Sequence, residues 1–332
     1  MNRRVLHFAG QCFIAIVLAL GPTLADAAAP TKKVVRVGFV GAESPSTAGP
    51  WVAALSQRLR EQGYVEGRNL IIEQRWAEGR IDRLPALMAE VITLKVDVLV
   101  TYSTPAAVAA KNAAGSTPIV VAMMGDPIGT GLATSLARPG GNLTGLSLAW
   151  TGGIQGKWLE LLQETVPKLS TVAVIANPDS RMVQELIHDL EAVAPTRGLK
   201  LRILQVREPE ALPHAFEQAR RLAEAVLVLP DPLTVQAQQQ IVLLSTKHRL
   251  PSMYALLEFV DAGGLMAYGV ESTVMFRRAA DYVGKILRGA KPGELPIEQA
   301  TEYALAVNLK TARALGITIP ETILLRAEKV IR

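Results

Sequence analysis

The chain has one cysteine, Cys12, and four histidines. Cys12 lies before or within an early apolar run. Cleavage after Ala25-Asp26-Ala27 would therefore leave no disulfide, no thiol nucleophile and no cysteine metal site. A lipid-bearing cysteine would follow that run as the first mature residue, and none does. His188, His214 and His248 each stand alone in a helical pattern, which fits a surface or half-buried position better than catalysis or metal ligation. Long basic runs are also missing. The formal net charge is +5, of which Arg3, Arg4 and Asp26 account for +1, and this modest, scattered excess predicts no nucleic-acid partner. No Gly-x-Ser-x-Gly elbow or Gly-x-x-x-x-Gly-Lys-Ser/Thr loop occurs, no Gly-x-Gly-x-x-Gly follows the first strand, and no carboxylate pair stands out for acid–base work. These gaps argue against an enzyme and against a bound cofactor. Aromatics are only 5% of the residues, so the core must be mostly aliphatic.

What is present begins with a targeting pattern. Arg3 and Arg4 precede the apolar run Phe13 to Leu20, and the small-x-small Ala25-Asp26-Ala27 follows. Residues 1–27 therefore read as a secretory signal peptide, cleaved near Ala27, with the periplasm as destination. The apolar run is short for a membrane anchor.

Beyond it, strands alternate with helices. Strands are predicted at Lys33 to Val40, Asn69 to Trp76, Asp97 to Thr101, Pro118 to Met123 and Leu143 to Leu148. Helices fall between them at Pro50 to Gln62, Asp82 to Leu94, Pro105 to Ala113 and, short, Leu132 to Ala137, with residues 41–49 as a loop. After a helix at Gln155 to Val166 the order restarts. Strands come at Thr171 to Ala176, Leu199 to Val206, Ala225 to Leu229, Pro251 to Ala255 and Leu265 to Gly269, with a helix over Thr234 to His248. A helix from Glu271 to Arg288, a strand at Glu302 to Val307 and helices at Leu309 to Leu315 and Glu321 to Ile331 close the chain. The repeat of about 135 residues favours two similar α/β lobes, each a doubly wound parallel sheet, over one large sheet. The first lobe is expected over 32–148 and 271–298, the second over 149–270 and 299–332. Three hinge crossings near 147–150, 269–272 and 296–301 would join them, with a ligand cleft between.

One turn carries most of the functional signal. After the third strand, Ser103 and Thr104 stand at an N-cap and Pro105 at the first helical position, where free N–H groups favour an anion. Asp231-Pro232 repeats the arrangement in the second half. In open parallel sheets ligands bind at the carboxyl ends of the strands. The candidates there are Glu43, Ser103, Thr104 and Asp126 from the first half, and Asn177, Asp231, Tyr254 and Glu258 from the second. The set is rich in hydroxyls and carboxylates and poor in Arg and Lys, which suits a zwitterion: hydroxyls and helix N-termini for a carboxylate, an Asp or Glu for an ammonium group. Trp51, Tyr102, Trp150 and Tyr254 offer surfaces for a flat side chain. Each has a plainer role to weigh: caps for Ser103 and Thr104, turn formers for Asp126 and Asp231, hinge packing for Trp150, a core aromatic for Tyr254.

Several motifs together resemble one family. They are Gly63-Tyr-Val-Glu-Gly-Arg-Asn-Leu70, Ala137-Arg-Pro-Gly-Gly-Asn-Leu-Thr-Gly145, Gly156-Lys-Trp-Leu-Glu-Leu-Leu162, Asn177-Pro178, Leu229-Pro-Asp231, Glu258-Phe-Val-Asp-Ala-Gly-Gly-Leu-Met266 and Asn308-Leu-Lys-Thr-Ala-Arg-Ala-Leu-Gly316. Over about Val35 to Ile331 the chain is similar to substrate-binding proteins of ABC importers related to tryptophan- and tyrosine-binding components. The resemblance implies a type I periplasmic binding protein: two Rossmann-like lobes, a three-strand hinge and a small-molecule ligand in the cleft. It also implies a permease in the inner membrane as partner, and we expect a monomer. A sensory module for a membrane receptor shares these features and stays open at this point, as does an exported enzyme on weaker grounds.

Overall fold

The computed structural model describes residues 34–148 and 153–332. The expected signal peptide, Cys12 and Trp150 lie outside them.

Two sheets organise the molecule. Strands β1 (Val35–Gly41), β2 (Leu70–Trp76), β3 (Val98–Thr101), β4 (Ile119–Met124) and β5 (Leu143–Ser147) lie parallel in the order β2-β1-β3-β4-β5. Strands β6 (Thr171–Ala176), β7 (Lys200–Gln205), β8 (Ala225–Val228), β9 (Ser252–Leu256) and β10 (Met266–Val270) repeat this as β7-β6-β8-β9-β10. The short β11 (Glu298–Gln299) joins the first sheet beside β5. Strand β12 (Ala304–Asn308) pairs antiparallel with β10, and β13 (Lys329–Ile331) extends the second sheet. The chain thus leaves the first sheet after β5, returns after β10 and crosses again between β11 and β12.

Helices cover both faces, and alternation along the strands decides which layer each side chain enters. In β1, Val37 and Phe39 face the layer of α1 (Pro45–Glu61), whereas Val40 faces that of α2 (Leu84–Thr93) and α3 (Thr104–Ala113). The second sheet carries α4 (Ile154–Thr165), α5 (Arg181–Val193), α6 (Leu212–Leu222), α7 (Pro232–Gln236), α8 (Gln238–Lys247) and α9 (Glu258–Asp261). The late helix α10 (Ser272–Leu287) returns to the first sheet and packs on α1. There Arg58 reaches Asp281 at 2.8 Å and Arg277 reaches Glu61 at 2.9 Å. Helices α11 (Leu309–Leu315) and α12 (Glu321–Leu324) finish the chain.

Several elements differ from the sequence expectation, among them the following. Helix α1 begins at Pro45, inside the expected loop, because Ser44 takes the extended N-cap conformation and Pro45 presets the first turn. Residues 132–137 are not a helix: the Thr134 hydroxyl bonds to the carbonyls of Arg138 and Pro139, and the Ser135 hydroxyl to that of Arg138, so side chains take up backbone groups a helix would need. The expected helix 234–248 is two pieces that abut at Ala237 and begins at Pro232, since Asp231 and Thr234 form a reciprocal cap. Finally, 321–331 ends in a strand: the Leu305 N–H donates to the Glu328 carboxylate at 2.6 Å, and Lys329 to Ile331 then pair with β12. Among the described residues no helix is long and apolar enough to cross a membrane.

Candidate ligand-binding site

In both sheets the strand order reverses beside the first strand, leaving crevices between β1 and β3 and between β6 and β8 at their carboxyl ends. The two crevices face one another across a cavity of about 60 Å³.

The first wall is fixed by the backbone. The Glu43 segment continues β1: the Ala77, Gly79 and Glu78 N–H groups donate to the carbonyls of Gly41, Ala42 and Glu43. Opposite it, the Thr101 hydroxyl donates to the Val40 carbonyl at 2.7 Å and fastens β3. Tyr102 follows, and its hydroxyl donates to Glu43 Oε2 in a short hydrogen bond. Phe39, Trp51 and Phe276 surround the Tyr102 ring, with Trp51 edge-on at 5.3 Å. These four aromatic rings pack together behind this wall. Trp51, Met123 and Leu148 add apolar surface.

Ser103 sits next to Tyr102 with φ 70° and ψ 152°, a conformation that glycine tolerates and serine resists. Its N–H is held by the Met123 carbonyl at 2.6 Å, its carbonyl accepts from the Ala107 N–H, and among the described residues its buried hydroxyl has no partner. The Thr104 hydroxyl instead accepts from the Gly125 N–H at 2.9 Å. Gly125 lies close to both walls: a Cβ there would stand 3.1 Å from Thr104 Oγ1 and 3.2 Å from Met182 Sδ, so those side chains would have to give slightly.

The second wall is built on Asp231. Its Oδ1 accepts from Asn177 Nδ2 and from the Leu233 N–H, both at 3.0 Å, and its own N–H donates to the Thr234 hydroxyl. Ser180, Met182, Pro230 and Val235 complete that side. Among the described residues no Lys or Arg lines the cavity. Burial pushes the Glu43 carboxyl up to about 8, against the Tyr102 hydrogen bond, with the Asp231 charge adding to the rise. Burial also raises Asp231, opposed by Asn177 and the Leu233 N–H.

Glu43, Ser103, Thr104 and Asp231 thus line one cavity, and Asn177 stands directly behind Asp231. The other three candidates lie elsewhere. Asp126 is exposed, accepts from the Ile128 N–H at 3.0 Å, and lines an adjoining cavity with Gln155 and Asp189. Tyr254 is fully buried in the second sheet, stacked on Phe259 at 4.5 Å and bonded to the Ser245 hydroxyl, because β9 turns that position into the core. Glu258 accepts from the Ser272 N–H at 2.9 Å and so anchors the start of α10 at the second crossing. Met123, Met182, Pro230 and Leu256 were missed. The end-of-strand rule reaches Met123 and Leu256, but apolar residues there carry no signal separating wall from core.

The family model for ABC transporter substrate binding proteins matches residues 46–331. The chain belongs to the ABC transporter substrate-binding protein family. Among relatives of these substrate-binding proteins is a tyrosine-binding protein from Clostridioides difficile, 24% identical over 259 residues, which are 78% of this chain and 74% of the relative. A conserved domain protein from Vibrio cholerae shares the fold with a TM-score of 0.83 and 28% identity, covering 90% of this chain and 100% of that one. An ABC domain in complex with L-Trp from Streptococcus pneumonia gives 0.81 at 24% identity, covering 90% and 99%. The neighbouring structures are periplasmic binding proteins, so the two-sheet α/β architecture is that of the family.

Proposed function

We propose that this substrate-binding protein captures a free amino acid, aromatic in the first instance, by closing two lobes on it, and delivers it to an ABC permease in the inner membrane. The observation that carries the reading is the composition of the facing walls: an unpartnered Ser103 hydroxyl at the start of α3 on one side of the cavity, carboxylates of Glu43 and Asp231 elsewhere in it, and aromatic and methionine surface between. A ligand carboxylate would meet Ser103 and the first turn of α3, and its ammonium group the acidic side chains. The tyrosine-binding relative and the L-Trp complex support an aromatic side chain. The lobes would be 32–148 with 271–298, and 149–270 with 299–332, moving about the three crossings. Capture would take place in the periplasm after removal of residues 1–27, with the protein acting as a monomer.

Calorimetry with a panel of L-amino acids, on protein first checked for carried ligand by native mass spectrometry, tests this. L-tryptophan or L-tyrosine should bind, with Ser103→Ala and Asp231→Ala each weakening binding about tenfold. An unresponsive panel, or affinities unchanged in both variants, would remove the site assignment.

A further inference from the structure

We propose that Glu43 and Asp231, which enter one cavity from opposite sheets with no Lys or Arg among the described residues lining it, form a cation clamp in which the ammonium group of the ligand replaces a proton carried by Glu43. This rests on the reading of the cavity as an amine-bearing solute site and adds a coupling that reading does not contain.

The geometry demands a positive charge from somewhere. Glu43 is 2% exposed and Asp231 5% exposed, and among the described residues no Lys or Arg lines the cavity with them. Asp231 is partly satisfied by Asn177 and the Leu233 N–H. Glu43 is less so: among the described residues its carboxyl group accepts the Tyr102 hydroxyl on Oε2 and is helped by its own backbone N–H. Two buried anions in one small cavity disfavour each other, and the less satisfied one keeps its proton. The neighbours offer no rescue. Tyr102 is itself driven to hold its proton, by burial and by Glu43. From the β2 side, Glu78 gives only its N–H to the Glu43 carbonyl, and its carboxylate sits at the surface 4.0 Å from Arg83. From the second wall, Asp179 adds negative charge near Asp231, though its own partner is Arg207 at 3.4 Å. An arriving ammonium group supplies the missing charge. The Glu43 carboxylic acid loses its proton to solvent, the carboxylate pairs with the ammonium, and Tyr102 goes on donating to Oε2.

The consequence is a pH-dependent capture. With a Glu43 carboxyl near about 8, an amine should bind more tightly by about tenfold per pH unit from about pH 6 to about pH 8, and level off above.

The test uses L-tryptophan and its decarboxylated analogue tryptamine as probes, by calorimetry at about pH 7 in buffers of different ionisation heat. The expected result is release of close to one proton per bound amine, lost in Glu43→Gln. The Tyr102→Phe variant, which removes the side-chain donor while keeping the acid, should shift the pH profile upward. Binding without proton release, or with the same affinity across that range, overturns the clamp while leaving the amino-acid reading intact. If neither probe binds, that reading fails and the clamp with it; where they bind, infrared spectroscopy of the ligand-free protein checks the held proton directly. A protonated carboxyl band at neutral pH that vanishes in Glu43→Gln and titrates near about pH 8 supports it, and absence of the band overturns it.

Discussion

Ser103 and Glu43 are both held in states that cost stability. A serine at φ 70° and ψ 152° carries strain of about 1–3 kcal/mol. Ser103→Gly removes it, less the extra chain entropy glycine loses on folding, about 1 kcal/mol. The ligand-free variant should therefore melt a few degrees higher, while amino-acid affinity falls about tenfold with the lost hydroxyl. A lower melting point in thermal denaturation would show that the hydroxyl supports the fold instead. The Glu43 effect depends on pH. Its folded value of about 8 exceeds the ordinary 4.5, so the folded state holds the proton more tightly than the unfolded one. Below about 4.5 both states are protonated and nothing is lost; between 4.5 and about 8 stability declines as pH rises, and above about 8 the penalty is complete. Glu43→Gln should thus stabilise the ligand-free chain at alkaline pH and much less at about pH 4.5, read as melting temperature against pH. At this scale the sequence was only partly legible. Ser103, Thr104, Asp231 and Glu43 stood out because caps and strand ends have recognisable chemistry. Tyr254 misled because an aromatic at the end of a strand looks the same whether its position turns to the cleft or, as in β9, to the core.

Among the elements, strands were easiest to read, since buried parallel strands such as Ile119–Met124 are nearly continuous apolar runs. Boundaries failed where a local side chain competed for the backbone, as Thr134 and Ser135 do, or where a partner far along the chain decided the outcome. Lys329–Ile331 is a strand because β12 is there to pair with it. Close approach is another constraint that spacing does not reveal. A Cβ on Gly269 would collide with the Ala255 carbonyl, the point where the register of β10 on β9 shifts. Gly269→Ala should force β10 away from β9 and destabilise the protein by about 2–3 kcal/mol in urea denaturation, whereas the same change at Gly49, inside α1 with nothing within 4 Å, should stabilise it by about 0.5–1 kcal/mol.

Across the whole molecule, a hydrogen bond from outside the cavity ties the two halves. The Ser44 N–H at the start of α1 donates to Gln236 Oε1 at 2.9 Å, and the Gln236 side chain also packs over Gly79. Gln236→Ala removes the bond, worth about 1 kcal/mol, and should move the open–closed ratio about fivefold toward the open form. Fluorophores on one introduced cysteine per half would report it, a clean experiment because no thiol follows Cys12. An unchanged distance distribution would show that Gln236 does not hold the halves together.

The route of the chain also bears on how the molecule is made. The first sheet gains β11 and its covering α10 only after every strand from β6 to β10 has been synthesised. Until then Phe39, Trp51 and Tyr102 lack Phe276, against which they pack. The amino-terminal half therefore cannot finish folding as it emerges from the ribosome. Its pairings span more than half the sequence, which makes folding slow. A nascent chain kept unfinished in this way stays threadable until its last third has been translated.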